Sequence, residues 1–277
     1  MHRQLVNVLR YVDIRLLYAF AAIFVVPVCL VTNKSRKTAY HYFRERMGYG
    51  RLRAAFATYV NHCLFSQAVI DRFAMFAGKR FKVSVEGYEN FSRLENQKDG
   101  FIQLSAHVGC YEIAGYTLVA DKKRFNALVF GDEKEMVMDG RKERFSHTNV
   151  RMIPVKPDMS HLFAVNDALV NHETVSMPAD RIVGSAKTLE VMFLGNKAKL
   201  PMGPFSVATM RGLEVIAVNV MKTSAKGYTV YVAALPYDKT APRKSQMQQL
   251  AEGYAAELER RLHQHPEQWY NFYEFWT

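Results

Sequence analysis

Apolar and polar residues alternate along this chain with the periods of both strands and helices. Beyond residue 100, short apolar runs of strand length recur between longer segments of helical periodicity. The predicted strands cover 101–106, 125–130, 150–155, 174–178, 213–221 and 228–235, preceded by an alternating segment at 81–85. The helical patterns fill 111–120, 159–171, 185–191, 204–211 and 244–264. This order predicts a single α/β domain with a mixed central sheet flanked by helices.

The N-terminal segment is the most apolar part of the chain. Residues 16–31 carry no charge, and they lie between two basic groups: Arg3, Arg10 and Arg15 before them, and Lys34, Arg36 and Lys37 after them. These sixteen residues fall just short of the roughly 20 that a spanning helix needs, and Pro27 predicts a kink. No small-x-small cleavage site follows, which argues against a signal peptide, while a buried core helix stays an alternative. We expect a membrane-anchoring helix in 1–37 ahead of a folded domain at 38–277.

The charge of the chain narrows the class of partner. A net charge of +11 favours a partner that carries phosphates or other acidic groups. Nucleic acid is a poor candidate, because no helix-turn-helix, zinc-ligand spacing or paired aromatic and basic strands are visible. A membrane surface or a phosphorylated lipid fits better, because basic residues cluster beside the apolar N-terminal segment. An acidic carrier protein would also be attracted.

The cysteines predict neither disulfides nor a metal site. Cys29, Cys63 and Cys110 are scattered, and no Cys-x-x-Cys or Cys/His metal spacing is present. An odd count without a framework is typical of a reducing, cytosol-facing compartment.

A histidine and a carboxylate follow the buried strand at 101–106. His107 is followed by Gly109 and, five positions on, by Glu112. Imidazole is well suited to take a proton from a hydroxyl near neutral pH, and a carboxylate can fix its tautomer. Positions five apart diverge by roughly 140° on a helix, so the pair meets only if His107 precedes a helix that begins near Glu112. We predict that His107 is a general base oriented by Glu112, and that Gly109 lets the backbone approach a substrate; a turn histidine beside an unrelated glutamate is the alternative.

Cys110 lies inside the same motif and offers a second interpretation of it. A thiol beside a histidine can act as a nucleophile. Alternatively, Cys110 is a small residue that fills a tight turn. The first alternative predicts a hydrolase that forms a covalent intermediate, and the second leaves His107 as the base.

The His107-x4-Glu112 motif after an apolar strand resembles the lysophospholipid acyltransferase superfamily. Three further segments narrow the resemblance to the branch of the lipid A biosynthesis (lauroyl/myristoyl) acyltransferases. They are Ser-Met-Pro-Ala-Asp-Arg at 176–181, Val-Met-Phe-Leu-Gly through Leu-Pro-Met-Gly-Pro at 191–204, and His-Pro-Glu-Gln-Trp-Tyr at 265–270. The resemblance runs from about residue 80 to the end of the sequence, with the four segments in the family's order.

This resemblance implies an acyltransferase that moves a fatty acyl chain from an acyl thioester to a hydroxyl of a lipid A precursor or a related glycolipid or lysolipid. The thioester would be carried by acyl carrier protein or coenzyme A, and no metal or redox cofactor is implied. Asp180 matches an acidic residue of the family's site and would contribute to substrate binding. Arg141 or Arg144 matches an essential arginine, whose guanidinium would bind a phosphate of the substrate. The resemblance also implies the cytoplasmic face of a bacterial inner membrane.

The C-terminus departs from the family's pattern. Family members commonly continue with basic residues after the tryptophan, whereas this chain continues with the aromatic-rich residues 270–276. The departure favours a branch that acts on another glycolipid or an amino-acid lipid, and the aromatic run would either pack on the domain or lie at the membrane interface. Two other functions stay open: a lipid hydrolase that uses Cys110 and His107, and a non-catalytic membrane-binding protein.

Overall fold

A computed structural model describes residues 9–118, 122–130, 149–156, 158–182 and 187–276. Its strands are β1 (Lys82–Glu86), β2 (Phe101–Ser105), β3 (Phe125–Phe130), β4 (Val150–Val155), β5 (Thr174–Pro178), β6 (Thr188–Phe193), β7 (Asn196–Pro201), β8 (Glu214–Ser224) and β9 (Gly227–Ala234). Its helices are α1 (Ile14–Thr32), α2 (Ser35–His41), α3 (Arg51–Phe76), α4 (Tyr88–Asn96), α5 (Glu112–Thr117), α6 (His161–Val170), α7 (Met202–Met210) and α8 (Arg243–Gln264).

A seven-stranded sheet forms the centre of the molecule, in the order β1-β9-β8-β2-β5-β3-β4. Its neighbouring strands run parallel, except that β8 and β9 form an antiparallel hairpin. Helices pack on both faces, so side chains of β2 alternate between two cores: Leu104 packs with α8 residues and Phe101 with α4 and α5 residues. This confirms the predicted α/β class and mixed sheet.

The helix predicted at 185–191 is wrong, because β6 and β7 form a separate antiparallel hairpin there. Along β6, Leu189, Val191 and Phe193 are buried while the two residues between them are exposed, a period of two that belongs to a strand. The turn between the strands places Leu194 and Gly195 at φ angles of 48° and 75°. Two successive positive φ angles are typical of the tightest hairpin turns.

The aromatic C-terminal run packs on this hairpin, one of the two alternatives derived from the sequence. The indole N–H of Trp276 donates to the carbonyl of Phe193 at 3.2 Å. The rings of Trp269 and Phe275 also contact the Phe193 ring edge-on or tilted, with centroids 5.6 and 5.5 Å away. The run therefore closes one end of the core.

Helix α1 contains the apolar N-terminal run and is long and apolar enough to cross a membrane by length and composition alone. It spans 19 residues with a mean hydropathy of 2.4 in its most apolar window. A π-helical turn at Ala21–Val25 interrupts it just before Pro27. Proline lacks the N–H that continues an α-helical ladder and its ring clashes with the preceding turn, so the local widening accommodates it.

A buried polar cluster connects α1 to the domain. The hydroxyl of Tyr18 on α1 and that of Tyr228 on β9 both donate to the carboxylate of Asp71 on α3. The ammonium of Lys222 on β8 forms an ion pair with the same carboxylate and lies 3.1 Å from the Tyr18 hydroxyl. Burial raises the pKa of Asp71 and lowers the pKa of Lys222, and the ion pair opposes both shifts. The cluster therefore holds α1, α3 and the β8–β9 hairpin together.

Replacing Lys222 by Met should lower the free energy of unfolding by about 3–5 kcal/mol, because it leaves the Asp71 carboxylate buried without its cation. The matched control is Lys226→Met, which changes an exposed lysine of the same hairpin and should stay within about 0.5 kcal/mol of the wild type. Urea denaturation in detergent, followed by circular dichroism, measures both variants. Equal stability of the two variants would contradict the role of Lys222 as the buried cation that pairs with Asp71.

Candidate active site

His107 and Asp180 lie side by side because the strands that lead to them are parallel neighbours. In the pairing of β2 with β5, Ser105 lies opposite Pro178. Each site residue comes two positions after that pair, so both emerge at the same edge of the sheet. This is the carboxyl edge of the parallel strands, where α/β sheets place their ligands.

The two residues make a two-point contact. Nδ1 of His107 lies 2.7 Å from one carboxylate oxygen of Asp180, and the backbone N–H of His107 donates to the other oxygen at 2.8 Å. Burial alone would raise the pKa of Asp180, but the neighbouring imidazole and these hydrogen bonds outweigh burial and hold the pKa below its usual 3.8. The carboxylate therefore fixes the imidazole proton on Nδ1 and leaves Nε2 able to accept a proton.

The contact predicted between His107 and Glu112 is not formed. Glu112 is the first residue of α5, as the spacing required, but its carboxylate pairs with Arg72 on α3, with 2.6 Å between the Glu112 oxygen and Nε of the arginine. Asp180 supplies the carboxylate on the imidazole instead. Glu112 is buried, and it lines the same cavity as His107, so a catalytic role for Glu112 stays a prediction.

The Asp180 side chain is fully buried against the histidine. It has no exposed surface, and its carboxylate contacts His107, so the structure adds the orientation of the imidazole to the predicted role of Asp180 in substrate binding. The following Arg181 donates to the carbonyl of Tyr270 at 2.8 Å, and the hydroxyl of Tyr273 donates to the carbonyl of Asp180 at 2.9 Å. The C-terminal run thus supports the aspartate that orients the histidine.

The segment at 265–270 clamps the turn that carries His107. The carbonyl of Gln268 accepts a hydrogen bond from the Gly109 N–H at 3.0 Å, and the Tyr270 N–H donates to the His107 carbonyl at 3.0 Å. The buried Gln268 side chain in turn accepts from the backbone N–H of Lys222 at 2.7 Å and donates to its carbonyl at 2.8 Å. The His-Pro-Glu-Gln-Trp-Tyr motif therefore positions the histidine through backbone contacts.

Gly109 serves this packing. It has a φ of +52°, and a Cβ atom on it would lie 1.7 Å from the carbonyl oxygen of Val220 on β8. Only glycine combines that conformation with so close an approach. The glycine is therefore required by a close approach to the protein's own strand β8, and the approach to a substrate stays a prediction.

The predicted phosphate-binding arginines, Arg141 and Arg144, lie outside the described residues. Their assignment stays a prediction. Within the described ranges, no group of three His, Cys, Asp or Glu side chains is close enough to hold a metal ion.

Cys110 is buried in the core beside α3 and α5. Burial raises the pKa of its thiol well above the usual value, and the neighbouring Glu112 raises it further. Its Sγ lies 3.8 Å from a Glu112 carboxylate oxygen. A thiol in this environment stays protonated and is a poor nucleophile, so the geometry favours the packing role.

A cavity of about 130 Å³ adjoins the histidine and runs along one face of the sheet between the strands and α5. One end of its wall is formed by His107, Tyr111 and Glu112. The other end is formed by Phe125 and Val150, the paired first residues of β3 and β4. Its lining is predominantly apolar. His107 therefore lies at one end of a mostly apolar lining.

Comparison with known families agrees with this geometry. A family model described as bacterial lipid A biosynthesis acyltransferase matches residues 71–277. The chain belongs to this family. The protein is therefore an acyltransferase, and the match includes Arg72, His107, Glu112 and Asp180.

One solved structure with a similar chain is the 1-acyl-sn-glycerophosphate (LPA) acyltransferase PlsC from Thermotoga maritima. It is 14% identical, the similarity covers 96% of this chain and 97% of that one, and the TM-score is 0.43. A search of curated proteins finds no significant match.

Two features of the candidate site were not predicted from the sequence. Asp180 was identified as a site residue, but its contact with His107 depends on the adjacency of β2 and β5, which no spacing along the chain reveals. Arg72 was not identified, because it is one of several arginines on amphipathic helical segments. The sequence signal for Arg72 is weak: it is a charged residue that follows the buried Asp71 on α3.

Asp180→Asn should change the tautomer of His107 and abolish most of the transfer activity. Glu112→Gln should leave the tautomer unchanged. An asparagine amide would donate to Nδ1, which moves the imidazole proton to Nε2 and removes the base; comparable tautomer errors in hydrolytic triads cost about 10⁴-fold. ¹⁵N NMR of histidine-labelled protein reports the tautomer directly. A changed tautomer in Glu112→Gln, with an unchanged one in Asp180→Asn, would show that Glu112 and not Asp180 orients His107.

The effect of Asp180→Asn on the free energy of unfolding should depend on pH. Because the folded pKa of Asp180 is lowered, the contact stabilises the protein above the ordinary aspartate pKa and is lost as the pH falls through the folded value. Asp180→Asn should therefore cost more unfolding free energy at about pH 7 than at about pH 3. A pH-independent difference would contradict the charge on Asp180.

Proposed function

We propose that this acyltransferase transfers a fatty acyl chain from an acyl thioester to a hydroxyl of a lipid A precursor or a related glycolipid or lysolipid, with His107 as general base. The observation that carries the proposal is the imidazole on a buried, charged Asp180 beside an apolar cavity. The thioester is carried by acyl carrier protein or coenzyme A.

The proposed mechanism follows from the tautomer of His107, in which Nδ1 carries the proton and Nε2 is free to accept one. Nε2 of His107 accepts the proton of the acceptor hydroxyl as its oxygen attacks the thioester carbonyl. The tetrahedral intermediate collapses, the C–S bond breaks, and the imidazolium returns the proton to the leaving thiolate. Asp180 stabilises the imidazolium between these steps. A general base contributes about 10²–10⁴-fold, so positioning of the two substrates supplies much of the remaining rate.

The negative charge that develops on the carbonyl oxygen in the tetrahedral intermediate needs hydrogen-bond donors or a cation to stabilise it. The backbone N–H groups of His107 and Gly109, which the turn would offer, are already bonded to Asp180 and Gln268. We propose that a cation supplies part of the oxyanion stabilisation, and the described candidate is Arg72, which pairs with the cavity-lining Glu112. Arg141 or Arg144 would bind a phosphate of the acceptor or carrier.

His107→Ala should abolish acyl transfer in cells. The test uses a strain that lacks the protein, in which lipid mass spectrometry should reveal a species lighter by one acyl chain. The wild-type gene should restore the heavier lipid, and His107→Ala should not, although the variant accumulates to the wild-type level. Restoration by His107→Ala would support a non-catalytic membrane-binding protein.

Cys110→Ala is the matched control in the same turn. Because the buried thiol is assigned to packing, this variant should restore the heavier lipid. Loss of activity, together with an acyl group trapped on Cys110 of the wild type, would favour the thiol-dependent hydrolase.

We further propose that α1 holds the enzyme against the cytoplasmic face of the bacterial inner membrane. One side of α1 packs on α3 through Ile14 and the buried Tyr18, whereas Phe20, Phe24 and Val28 on the other side are about 60% exposed. Leu52 and Phe56 near the start of α3 are also exposed. A helix with one side bonded to its own domain fits a position in the membrane interface better than a free span.

The double variant Phe20→Ser/Phe24→Ser should move protein from the membrane fraction to the soluble fraction, because it removes two aromatic rings from the proposed lipid contact. The control is Phe163→Ser on α6, an 81% exposed phenylalanine outside this surface, which should stay membrane-bound. The wild type should resist a high-salt wash. Recovery of the wild type in the salt extract, or equal release of both variants, would contradict apolar anchoring.

A further inference from the structure

Helix α1 is attached at both ends to the same helix of the domain. Near its start, the Tyr18 hydroxyl donates to the Asp71 carboxylate on α3. Just beyond its end, the Ser35 hydroxyl lies 3.1 Å from Nε2 of His62, also on α3. The two attachment points are nine residues apart on α3, about 14 Å at the rise of an α-helix, which is less than half of the roughly 30 Å hydrocarbon core of a bilayer. The two ends of α1 therefore belong on one side of a membrane.

The backbone of α1 is satisfied where Pro27 interrupts its hydrogen bonds. The Val26 N–H donates to the carbonyl of Ala21, five residues back. Pro27 would be the next donor in this π-helical register, but it carries no N–H. The Tyr59 hydroxyl of α3 donates to the Ala22 carbonyl instead, at 3.0 Å. Because an unpaired carbonyl is costly in hydrocarbon, this contact lets the middle of α1 enter lipid while it stays bonded to α3.

The outer side of α1 presents apolar side chains from its first turn to its last. Leu16 near the start is 67% exposed and Val31 near the end is 74% exposed, with Phe20, Phe24 and Val28 between them. These residues recur at intervals of three and four, so they share one stripe of the helix. An exposed apolar surface of this kind marks a site of interaction with lipid or with another apolar surface.

A group of cations follows the end of α1. Lys34, Arg36 and Lys37 are exposed, and none of them forms an ion pair with any residue that the structure describes. Glu45 is the only acidic residue between positions 14 and 70 of the sequence, and its carboxylate is paired with neighbouring side chains. The protein therefore leaves the charge of these three cations uncompensated.

A second group of cations surrounds the start of α1. Asp13 caps the helix, and a hydrogen bond from the backbone N–H of Arg15 lowers the pKa of its carboxyl. The charges of Lys226, Arg15 and Lys79 lower that pKa further, so all three lie close to the cap. One carboxylate among three cations leaves this end of the helix positive as well.

We propose that α1 lies in the plane of one leaflet and that the cations at its two ends bind anionic lipid headgroups. This inference rests on the proposed function, in which α1 contacts the membrane. A helix with both ends at the same surface places both groups of cations at headgroup level, and its apolar side enters the acyl region. Each Lys or Arg near an anionic surface raises the partition coefficient about fivefold, so the two groups together give a strong preference for anionic lipid.

An acidic carrier protein is the other class of partner that these cations would attract. The arrangement favours lipid, because the exposed aromatic and aliphatic side chains of α1 lie between the two groups. The helix also separates the groups by about 28 Å at its length of 19 residues. A membrane surface supplies hydrocarbon and phosphate over that whole distance.

The test is vesicle flotation of the full-length protein, diluted out of detergent. The vesicles contain phosphatidylcholine alone or with about 30% phosphatidylglycerol. At about 0.1 M salt, the partition coefficient should be at least about twentyfold higher for the anionic vesicles. At about 1 M salt, where the Debye length is about 3 Å, the preference should fall to about twofold or less, while the apolar side keeps the protein on both kinds of vesicle.

A triple variant at the end of α1 tests the first group of cations. Lys34→Gln/Arg36→Gln/Lys37→Gln should lower the ratio of the two partition coefficients at least about fivefold. The matched control is Lys98→Gln/Lys199→Gln/Lys244→Gln, which removes the same charge from exposed positions elsewhere on the domain and should change the ratio less than about twofold. Equal loss in the two variants would show an effect of net charge alone and would overturn the inference.

A double variant tests the second group. Arg15→Gln/Lys226→Gln should lower the same ratio at least about threefold. An unchanged ratio would overturn the in-plane arrangement, because only one end of α1 would then lie at the anionic surface. Circular dichroism of each variant confirms that the fold is retained.

The remaining outcomes separate the inference from the proposed anchoring. Equal binding of the wild type to both kinds of vesicle would overturn the inference and leave the anchoring by α1 intact. Binding to neither would overturn both. If the triple variant at the end of α1 loses binding to acyl carrier protein while its vesicle ratio is unchanged, the cations form a carrier-docking surface and the inference is overturned.

Discussion

The parallel pairing of β2 with β5 is the constraint on which the site depends. It sets Ser105 opposite Pro178, and the two residues that follow on each strand bring an imidazole and a carboxylate into contact. One pairing of strands therefore determines the orientation of the proposed base.

A second set of contacts holds the histidine turn from outside the sheet. Gln268 bonds to Gly109 through its backbone and to Lys222 on β8 through its side chain. Lys222 also pairs with Asp71 and approaches Tyr18 on α1. The helix proposed to contact the membrane and the turn that carries His107 thus share a chain of buried hydrogen bonds. This arrangement gives the reactive group a fixed position relative to the proposed membrane surface.

The surroundings of His107 differ sharply on its two sides. On one side Asp180 is buried and charged, and on the other lies a cavity lined mostly by apolar side chains. Electrostatic interactions are stronger where water is excluded, so a single carboxylate can control the tautomer of the base. Cys110, only three residues away, lies in a different environment, where burial and Glu112 keep the thiol protonated.

The sequence alone determined the fold class, the strands of the central sheet, the apolar N-terminal helix and the family, because hydrophobic periodicity and local motifs are written along the chain. It also predicted His107, Glu112 and Asp180 as site residues. The partners of those residues were decided by tertiary structure. Glu112 binds Arg72, and Asp180 binds His107, since strand order brings together positions 73 residues apart. The β6–β7 hairpin and the packing role of Gly109 likewise depend on neighbours that are distant in sequence.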